Sequence, residues 1–183
     1  MDKVIFIDRD GVINVDLIGD YVKSWQEFKF EAGAVEALGQ LEQAGFKIIV
    51  ISNQAGVGEG IFPEKALWEV HEKMLKALTD AGVHIFASFY CLHAKNDPHC
   101  RCRKPKIGLF EQAAQKIGFD RSKTFFVGDK VTDIEAGKRF GLKTCFVRTG
   151  HGGQEEPLLT EALTPDLKAD NLLKAVPSLV KSS

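Results

Sequence analysis

Short apolar runs alternate along the chain with longer stretches in which apolar residues recur at helical spacing. The runs lie at 4–7, 48–51, 85–90, 124–127 and 144–147, and such continuous runs predict strands buried on both faces. The intervening stretches space their apolar residues by three and four positions, which predicts amphipathic helices. These positions are Val35, Leu38 and Leu41; Leu67, Val70, Met74 and Leu78; and Phe110, Ala113, Ala114 and Ile117.

Glycines mark the ends of the predicted helices. Gly45, Gly82, Gly118 and Gly141 each follow a helical stretch and precede an apolar run. Glycine takes the left-handed conformation that ends a helix without steric penalty, so we expect that conformation at these positions. Strands that alternate with helices form a mainly parallel sheet covered on both faces. The sequence therefore predicts an α/β fold, a Rossmann-like three-layer sandwich around a mainly parallel central sheet.

Length and charge narrow the class of protein. The chain has 183 residues, which predicts a single domain over 1–183. A net charge of −1 provides no general attraction for nucleic acid. No apolar run approaches the roughly 18 residues of a membrane span, and the first strand begins too early to leave room for a signal peptide. We therefore expect a cytoplasmic protein that binds neither membranes nor nucleic acid.

Polar, chemically capable residues follow all five predicted strands. They are Asp8 and Asp10, Ser52 and Asn53, Cys91 and His93, Asp129 and Lys130, and Arg148 and Thr149. Ligands of open parallel sheets bind beyond the carboxyl ends of the strands, so these side chains should share one rim. Aspartate and serine are also common in turns and caps. Their recurrence at every strand end favours a functional site over five unrelated turns.

Asp8 and Asp10 stand one residue apart directly after the first strand. An aspartate there can attack phosphorus and form an aspartyl-phosphate, and the second can protonate the leaving oxygen and later activate water. Asp129, on a neighbouring strand, would complete a Mg²⁺ site with Asp8, and the ion would neutralise phosphate charge. Asp133 follows four residues later, where it either caps a helix or holds the waters of the metal or a lysine.

Three further residues on the predicted rim suit a phosphoryl group. Ser52 offers a hydroxyl that can bind a phosphoryl oxygen, although serine is also common at turns. Arg103 and Lys104 are adjacent cations, and phosphoryl transfer needs cations that face the developing charge. The alternative is a pair of solvated surface cations. Their position on the same rim favours phosphate binding.

Three of the four cysteines lie close together, in Cys91-Leu92-His93 and Cys100-Arg101-Cys102. In a reducing compartment, clustered cysteines suggest a metal before a disulfide. Three thiolates and one imidazole match the closed tetrahedral shell of structural zinc. Free thiols are the alternative, and His99 is a possible competing ligand. We assign no role beyond surface or packing to the remaining histidines, His71, His84 and His151.

Four segments, in this order, resemble the motifs of the haloacid dehalogenase (HAD) superfamily of phosphohydrolases. They are Asp8-Arg9-Asp10-Gly11-Val12, Ser52-Asn53-Gln54, Lys104-Pro105, and Gly128-Asp129-Lys130 with Asp133. The zinc-loop pattern is similar to the branch that contains the D-glycero-D-manno-heptose 1,7-bisphosphate and histidinol-phosphate phosphatases. Asp20-Tyr21-Val22 and Gly60-Ile61-Phe62 also resemble that branch. The resemblance spans the chain from Val4 to about Gly150.

The resemblance implies a role for each matching residue. Asp8 would be the nucleophile and Asp10 the general acid and base, while Ser52 and Lys104 would bind the transferring phosphoryl group. Mg²⁺ would be held by Asp8, Asp129 and the backbone carbonyl of Asp10. A large cap domain would be absent, and the zinc-binding loop and the loop after Ser52 would frame an open site. The implied substrate-binding residues are Asn53, Arg103 and Lys130.

The implied function is a Mg²⁺-dependent phosphomonoesterase that acts through an aspartyl-phosphate and carries a structural Zn²⁺. The favoured substrate is heptose 1,7-bisphosphate, a carbohydrate precursor of lipopolysaccharide; histidinol phosphate or another small sugar phosphate is the alternative. Two differences from the family pattern leave the identity of the substrate undecided. Glu59 stands where the family loop commonly carries an arginine, and the zinc loop has only seven residues from Ala94 to Cys100. A different class, an inactive regulatory module that binds phosphate or metal, is disfavoured by the intact acids. We expect a monomer.

Overall fold

The computed structural model describes residues 1–182, and these contain a central sheet of six strands. All the strands are parallel, in the order β3-β2-β1-β4-β5-β6. They are β1 (Val4–Ile7), β2 (Lys47–Asn53), β3 (Ile85–Cys91), β4 (Phe125–Gly128), β5 (Lys143–Val147) and β6 (Leu167–Ala169). All five predicted strands are present, so the predicted parallel sheet is confirmed.

Helices cover both faces of the sheet. The α-helices of the described residues are α1 (Ala34–Gln43), α2 (Ala55–Gly58), α3 (Glu64–Asp80), α4 (Gly108–Ala114), α5 (Val131–Phe140), α6 (Gly152–Glu155) and α7 (Leu172–Ser182). Buried residues of α1, α3 and α7 share one core cluster, and those of α4 and α5 share the other. The predicted three-layer sandwich is therefore confirmed. Within residues 1–182, no helix has the length and apolar character needed to cross a bilayer.

The central strand β1 joins the two core clusters. Successive strand side chains point to opposite faces, so Phe6 enters one cluster while Ile5 and Ile7 enter the other. The Phe6 ring meets that of Phe110 edge-on at 5.2 Å, which packs α4 against the sheet. Because β1 is covered on both faces, the polar residues that follow it are held on a rigid support.

Two details at the ends of helices differ from the sequence prediction. Gly45, Gly82 and Gly141 have the expected positive φ, but Gly118 does not, so the prediction is wrong at that position. The helix predicted to reach Ile117 ends at Ala114. Ile117 is nevertheless only 7% exposed, because the chain continues in turns that keep its side chain against the core.

Strand β6 and helix α7 lie outside the elements that the apolar runs predict. Strand β6 has three residues at the edge of the sheet, too short for a recognisable pattern. Helix α7 contains Pro177, a residue that normally argues against a helix interior. Its buried residues still have the spacing of a helix face that packs on α1. They are Leu172, Ala175, Val176 and Leu179.

Candidate active site

The carboxyl ends of the central strands open into a cavity of about 580 Å³. Most of the candidate residues lie on its wall, as expected for the carboxyl edge of a parallel sheet. The predicted residues that line it are Asp8, Asp10, Ser52, Asn53, Arg103, Lys104, Lys130 and Asp133. Asp129 is fully buried beside the cavity. The structure therefore brings together residues from four widely separated segments of the sequence.

Asp8 is buried at the end of β1, with its two oxygens in different environments. Oδ1 accepts a hydrogen bond from the Arg9 backbone N–H at 2.7 Å and lies 3.0 Å from Lys104 Nζ. No group within residues 1–182 donates a hydrogen bond to Oδ2. Burial raises the pKa of Asp8 to about 6, and the charge of Lys104 opposes that shift. One oxygen is thus held by the protein while the other is available for chemistry.

Asp10 is held from three directions. The Arg9 guanidinium donates to both carboxylate oxygens at 3.0 Å, and the side-chain amide of Asn14 donates to Oδ1 at 2.9 Å. The side-chain amide of Gln54 donates to Oδ2. Burial works against ionisation, but the Arg9 charge and these hydrogen bonds hold the pKa of Asp10 below its ordinary value. Asp10 is therefore ionised and fixed in the free site.

Arg9, Asn14 and Gln54 are functional neighbours that the sequence interpretation did not single out. Arg9 and Gln54 lie inside the motif segments that carry the candidate acids and Ser52, and Asn14 lies two residues after the first of these segments, so their position was a usable signal. Arg9 is fully buried, which is rare for an arginine that has no specific partner.

Lys104 is a buried ammonium that connects the parts of the site. Its Nζ lies 2.7 Å from Asp133 Oδ1 and donates to the Ile51 carbonyl at 3.0 Å. Burial would lower the pKa of Lys104, but the carboxylates of Asp133 and Asp8 raise it above its ordinary value. The Asn53 side chain accepts from the Lys104 backbone N–H at 3.0 Å and donates to its carbonyl at 3.2 Å. Both polar ends of the Asn53 amide therefore position Lys104.

Asp8, Asp129 and Asp133 each offer an oxygen to a cluster that spans less than 4.8 Å. Asp129 Oδ2 accepts a hydrogen bond from the His151 backbone N–H at 2.7 Å, whereas Oδ1 is buried and has no partner among the described residues. Burial, reinforced by the charge of Asp133, raises the pKa of Asp129 well above its ordinary value. Since Asp133 is already paired with Lys104, the unsatisfied oxygens fit a hard divalent cation between Asp8 and Asp129.

Two glycines allow the backbone to approach Asp129 closely. Gly11 and Gly150 have positive φ values, and a Cβ atom at either residue would lie 2.3 Å from Asp129 Oδ2. Any side chain there would displace the carboxylate. The position of Asp129 is therefore set by backbone on two sides.

The Cys91, His93, Cys100 and Cys102 side chains form a second compact cluster. The Cys91–Cys100 and Cys100–Cys102 sulfur separations are 3.6 and 3.8 Å, and His93 Nδ1 lies 3.2 Å from Cys102 Sγ. A tetrahedral zinc with Zn–S bonds near 2.3 Å requires sulfurs about 3.8 Å apart, whereas a disulfide requires about 2 Å. These four side chains thus fit a tetrahedral metal shell.

The loop that carries this cluster lies beside the catalytic rim. Cys91 ends β3 opposite Asn53 of β2, and the Gln54 backbone N–H donates to the Cys91 carbonyl at 2.8 Å. A Cβ atom on Gly58 would lie 2.4 Å from the Leu92 carbonyl oxygen, so α2 packs directly on the loop. The loop that contains Cys100 and Cys102 continues into Arg103 and Lys104.

Asp16 and His151 form another part of the cavity wall. Asp16 Oδ2 lies 3.0 Å from both Lys130 Nζ and His151 Nε2. The sequence assigns His151 only a surface or packing role, and the structure places this residue on the wall of the cavity. Asp16 was not singled out either, since nothing in the local sequence shows that it meets residues more than a hundred positions away.

Comparisons with known proteins agree with the motifs. Residues 101–175 match a family model described as HAD-hydrolase-like. A D-glycero-D-manno-heptose-1,7-bisphosphate 7-phosphatase of Chlorobaculum tepidum is 41% identical over 186 residues, which cover 95% of this chain and 92% of that protein. A D-glycero-beta-D-manno-heptose-1,7-bisphosphate 7-phosphatase of Pasteurella multocida is 39% identical over 82% of this chain and 84% of its own length.

Solved structures give the same result. A D,D-heptose 1,7-bisphosphate phosphatase from B. bronchiseptica, complexed with magnesium and phosphate, superposes with a TM-score of 0.91 at 31% identity and 99% coverage of both chains. The D,D-heptose 1,7-bisphosphate phosphatase from Burkholderia thailandensis has a TM-score of 0.74 at 27% identity, covering 98% of this chain and 99% of that one.

Proposed function

This chain belongs to the HAD-like phosphatases, which hydrolyse phosphate monoesters, and from that membership we propose that it is a D-glycero-D-manno-heptose 1,7-bisphosphate 7-phosphatase. The superfamily and the class of enzyme expected from the motifs are confirmed. The observation that carries the proposal is the convergence of Asp8, Asp10, Lys104 and Asp129 at one cavity. The substrate comes from the names of the relatives, and its proposed use is as a precursor of lipopolysaccharide.

In the first half of the proposed reaction, the carboxylate of Asp8 attacks phosphorus. Asp10, ionised in the free site, takes up a proton from solvent as the negatively charged substrate binds. The new O–P bond forms as the bond to the leaving sugar oxygen breaks, and Asp10 delivers that proton to the leaving oxygen. Lys104 and Ser52 bind non-bridging phosphoryl oxygens. Because Oδ1 of Asp8 is held by Arg9 and Lys104, the carboxylate is fixed in direction before the substrate arrives.

In the second half, water attacks the phosphorus of the aspartyl-phosphate. Asp10 accepts the proton of that water, inorganic phosphate leaves and the carboxylate of Asp8 is restored. Arg9, Asn14 and Gln54 keep Asp10 ionised in the free site, and this state suits a group that must accept a proton.

Magnesium is the proposed catalytic metal. Asp8, Asp129 and the backbone carbonyl of Asp10 would hold it, and a bound Mg²⁺ neutralises phosphoryl charge. The buried, unpartnered oxygen of Asp129 supports this assignment. We further propose a structural Zn²⁺ on Cys91, His93, Cys100 and Cys102, since the spacing of their ligand atoms fits a tetrahedron. Arg103 and Lys130 would contact the substrate.

For the organisation of the protein we propose what the sequence predicts. We propose a single domain over 1–183 that acts as a monomer in the cytoplasm on a small phosphorylated substrate. In support, every group of the proposed mechanism comes from one chain. Asp133, through its ion pair with Lys104, is assigned to positioning that ammonium.

A substrate panel tests the function. We expect kcat/KM for heptose 1,7-bisphosphate to exceed that for histidinol phosphate and common sugar phosphates at least roughly a hundredfold, or about 3 kcal/mol in transition-state binding. Both anomers of the bisphosphate belong in the panel, and Asp8→Asn is the matched inactive variant.

A preference for histidinol phosphate would overturn the substrate assignment. Mg²⁺-dependent activity that survives Asp8→Asn would overturn the nucleophile, and a zinc content near zero would overturn the structural metal.

A further inference from the structure

Most charged side chains on the cavity wall are paired within the protein. Lys104 is paired with Asp8 and Asp133, and Lys130 is paired with Asp16. The outer carboxylates are also engaged, because Asp20 holds Lys23 and Glu155 accepts from the Val131 backbone N–H. These pairs leave little free charge on that part of the wall.

Two cations on the zinc-loop side of the cavity lack a close carboxylate. Arg103 has no carboxylate oxygen within 4.0 Å among the described residues, and its Nη1 is buried without a partner. Lys95 also lines the cavity, and its side chain is 58% exposed. Its nearest paired carboxylate, that of Glu59, is 3.9 Å from Nζ, a separation that gives only a weak, displaceable ion pair. An anionic group of a ligand would therefore find unsatisfied positive charge on this side.

Glu59 connects three segments around the mouth of the cavity. Its Oε1 accepts a hydrogen bond from the Lys95 backbone N–H at 3.3 Å, and its Oε2 accepts from the Tyr21 hydroxyl at 3.2 Å. Tyr21 belongs to the segment after β1, Glu59 follows α2, and Lys95 is in the zinc-binding loop. Both partners of Glu59 line the cavity. The carboxylate thus fixes where Lys95 stands relative to Tyr21.

We propose that Lys95 binds the second phosphate of the substrate, the one that is not transferred, and that Glu59 is the positioning residue that holds Lys95 at the mouth. The inference rests on the proposed bisphosphatase function. A lysine ammonium binds phosphate as a point charge on a flexible stem, so it can turn from the distant Glu59 oxygen to an arriving phosphate. Arg103 extends the same cationic surface toward the buried Lys104.

The first test compares two substrates in one variant. In Lys95→Met, kcat/KM for heptose 1,7-bisphosphate should fall roughly five- to tenfold, mainly through KM, because a charge-assisted contact is lost. The value for heptose 7-phosphate, which lacks the second phosphate, should change less than twofold. Lys95→Arg should restore most of the loss. The control Lys65→Met removes an exposed lysine of α3 and should leave kcat/KM for both substrates unchanged.

The second test asks whether Glu59 acts through Lys95. Glu59→Ala should reduce the preference for bisphosphate over monophosphate about threefold, and it should have no effect on that preference when residue 95 is already methionine. Equal effects in the two backgrounds would overturn the positioning role.

The outcomes separate this inference from the proposed function. If heptose bisphosphate is not hydrolysed by the parent enzyme, the proposed function fails. If the parent prefers the bisphosphate but Lys95→Met lowers kcat/KM equally for both substrates, or for neither, the function stands and the assignment of Lys95 is overturned.

Discussion

At the scale of single residues, the two acids after β1 occupy contrasting environments although they are only two positions apart. Burial raises the pKa of Asp8 to about 6, since Lys104 only partly compensates for the lost hydration. Asp10 is also buried, but the Arg9 guanidinium holds its pKa below the ordinary range. Each acid therefore has a cationic partner, but only Arg9 outweighs the effect of burial on the pKa of its carboxyl.

This contrast predicts the pH dependence of metal-free stability. A carboxyl whose pKa is higher in the folded state destabilises the fold as pH rises from the unfolded value of 3.8 through about 6. In EDTA at pH 7.5, Asp8→Asn should therefore raise the free energy of unfolding by on the order of 2–3 kcal/mol. The gain should shrink to a few tenths of a kcal/mol at pH 4, measured by urea unfolding.

With saturating Mg²⁺ the parent protein should have the higher free energy of unfolding, because Asp8→Asn lacks a proposed metal ligand. Asp80→Asn, which alters an exposed carboxylate, is the control and should show neither effect. A gain for Asp8→Asn that is the same at pH 4 and pH 7.5 would contradict the burial argument.

The acids themselves were predictable from sequence, whereas their partners were only partly so. Asp8, Asp10 and Asp129 follow apolar runs directly, and the topology of a parallel sheet brings such positions together. The contact between Gln54 and Asp10 spans 44 positions and depends on how β1 and β2 pair. The contact of His151 with Asp16 depends on two loops, whose paths no periodic pattern determines.

At the scale of elements, strands were more predictable than their connections. Four of the five predicted strands differ from the observed ones only by one or two residues at their ends, because a buried run of branched and aromatic residues has few alternatives. Strand β6 offers no such run, since only Leu167 is strongly apolar. The cysteine spacing, in contrast, predicted the compact arrangement of the loop after β3, where hydrophobic periodicity gives no signal.

The proposed zinc shell should stabilise this loop and, through it, the rim. Cys100→Ser combined with Cys102→Ser should abolish zinc binding, and we expect the melting temperature to fall by roughly 5–10 °C, as loss of about 2–3 kcal/mol would produce in a domain of this size. Elemental analysis and thermal unfolding measure the two effects.

Cys145→Ala is the matched control, since Cys145 is a buried thiol in the opposite core cluster. It should destabilise the protein to some extent but leave the zinc content unchanged. An unaltered melting temperature in the double variant would show that the cluster does not stabilise the loop.

At the scale of the whole molecule, the residues of the candidate site lie apart from the packing of α7 that stabilises the fold. The candidate site lies at the carboxyl edge of the sheet, whereas α7 packs on α1 in one of the helical layers. Helix α7 nevertheless contributes buried side chains to the same core cluster as Ile5 and Ile7 of β1. A loss of packing in α7 should therefore affect the site only by unfolding the whole protein.

Leu172→Ala tests that separation. Leu172 is 2% exposed, so its truncation should lower the free energy of unfolding by about 2–5 kcal/mol. At a temperature where the variant is still folded, kcat should stay within twofold of the parent. Leu158→Ala, at a leucine that is 61% exposed, should change stability by less than about 0.5 kcal/mol. A large drop in kcat for the folded Leu172→Ala protein would show that α7 influences the site directly.

The central place of β1 has a consequence for biosynthesis. Ile5 lies opposite both Ile48 and Phe125, so β1, which is made before the other five strands of the sheet, cannot complete its pairing until β4 is made. At roughly 5–20 residues per second, the interval is on the order of ten seconds. Throughout it, the nascent chain presents one open strand edge, and Asp8 lacks Asp129. A chain terminated within this interval would thus be an aggregation-prone fragment without a catalytic metal site, rather than a weakly active enzyme.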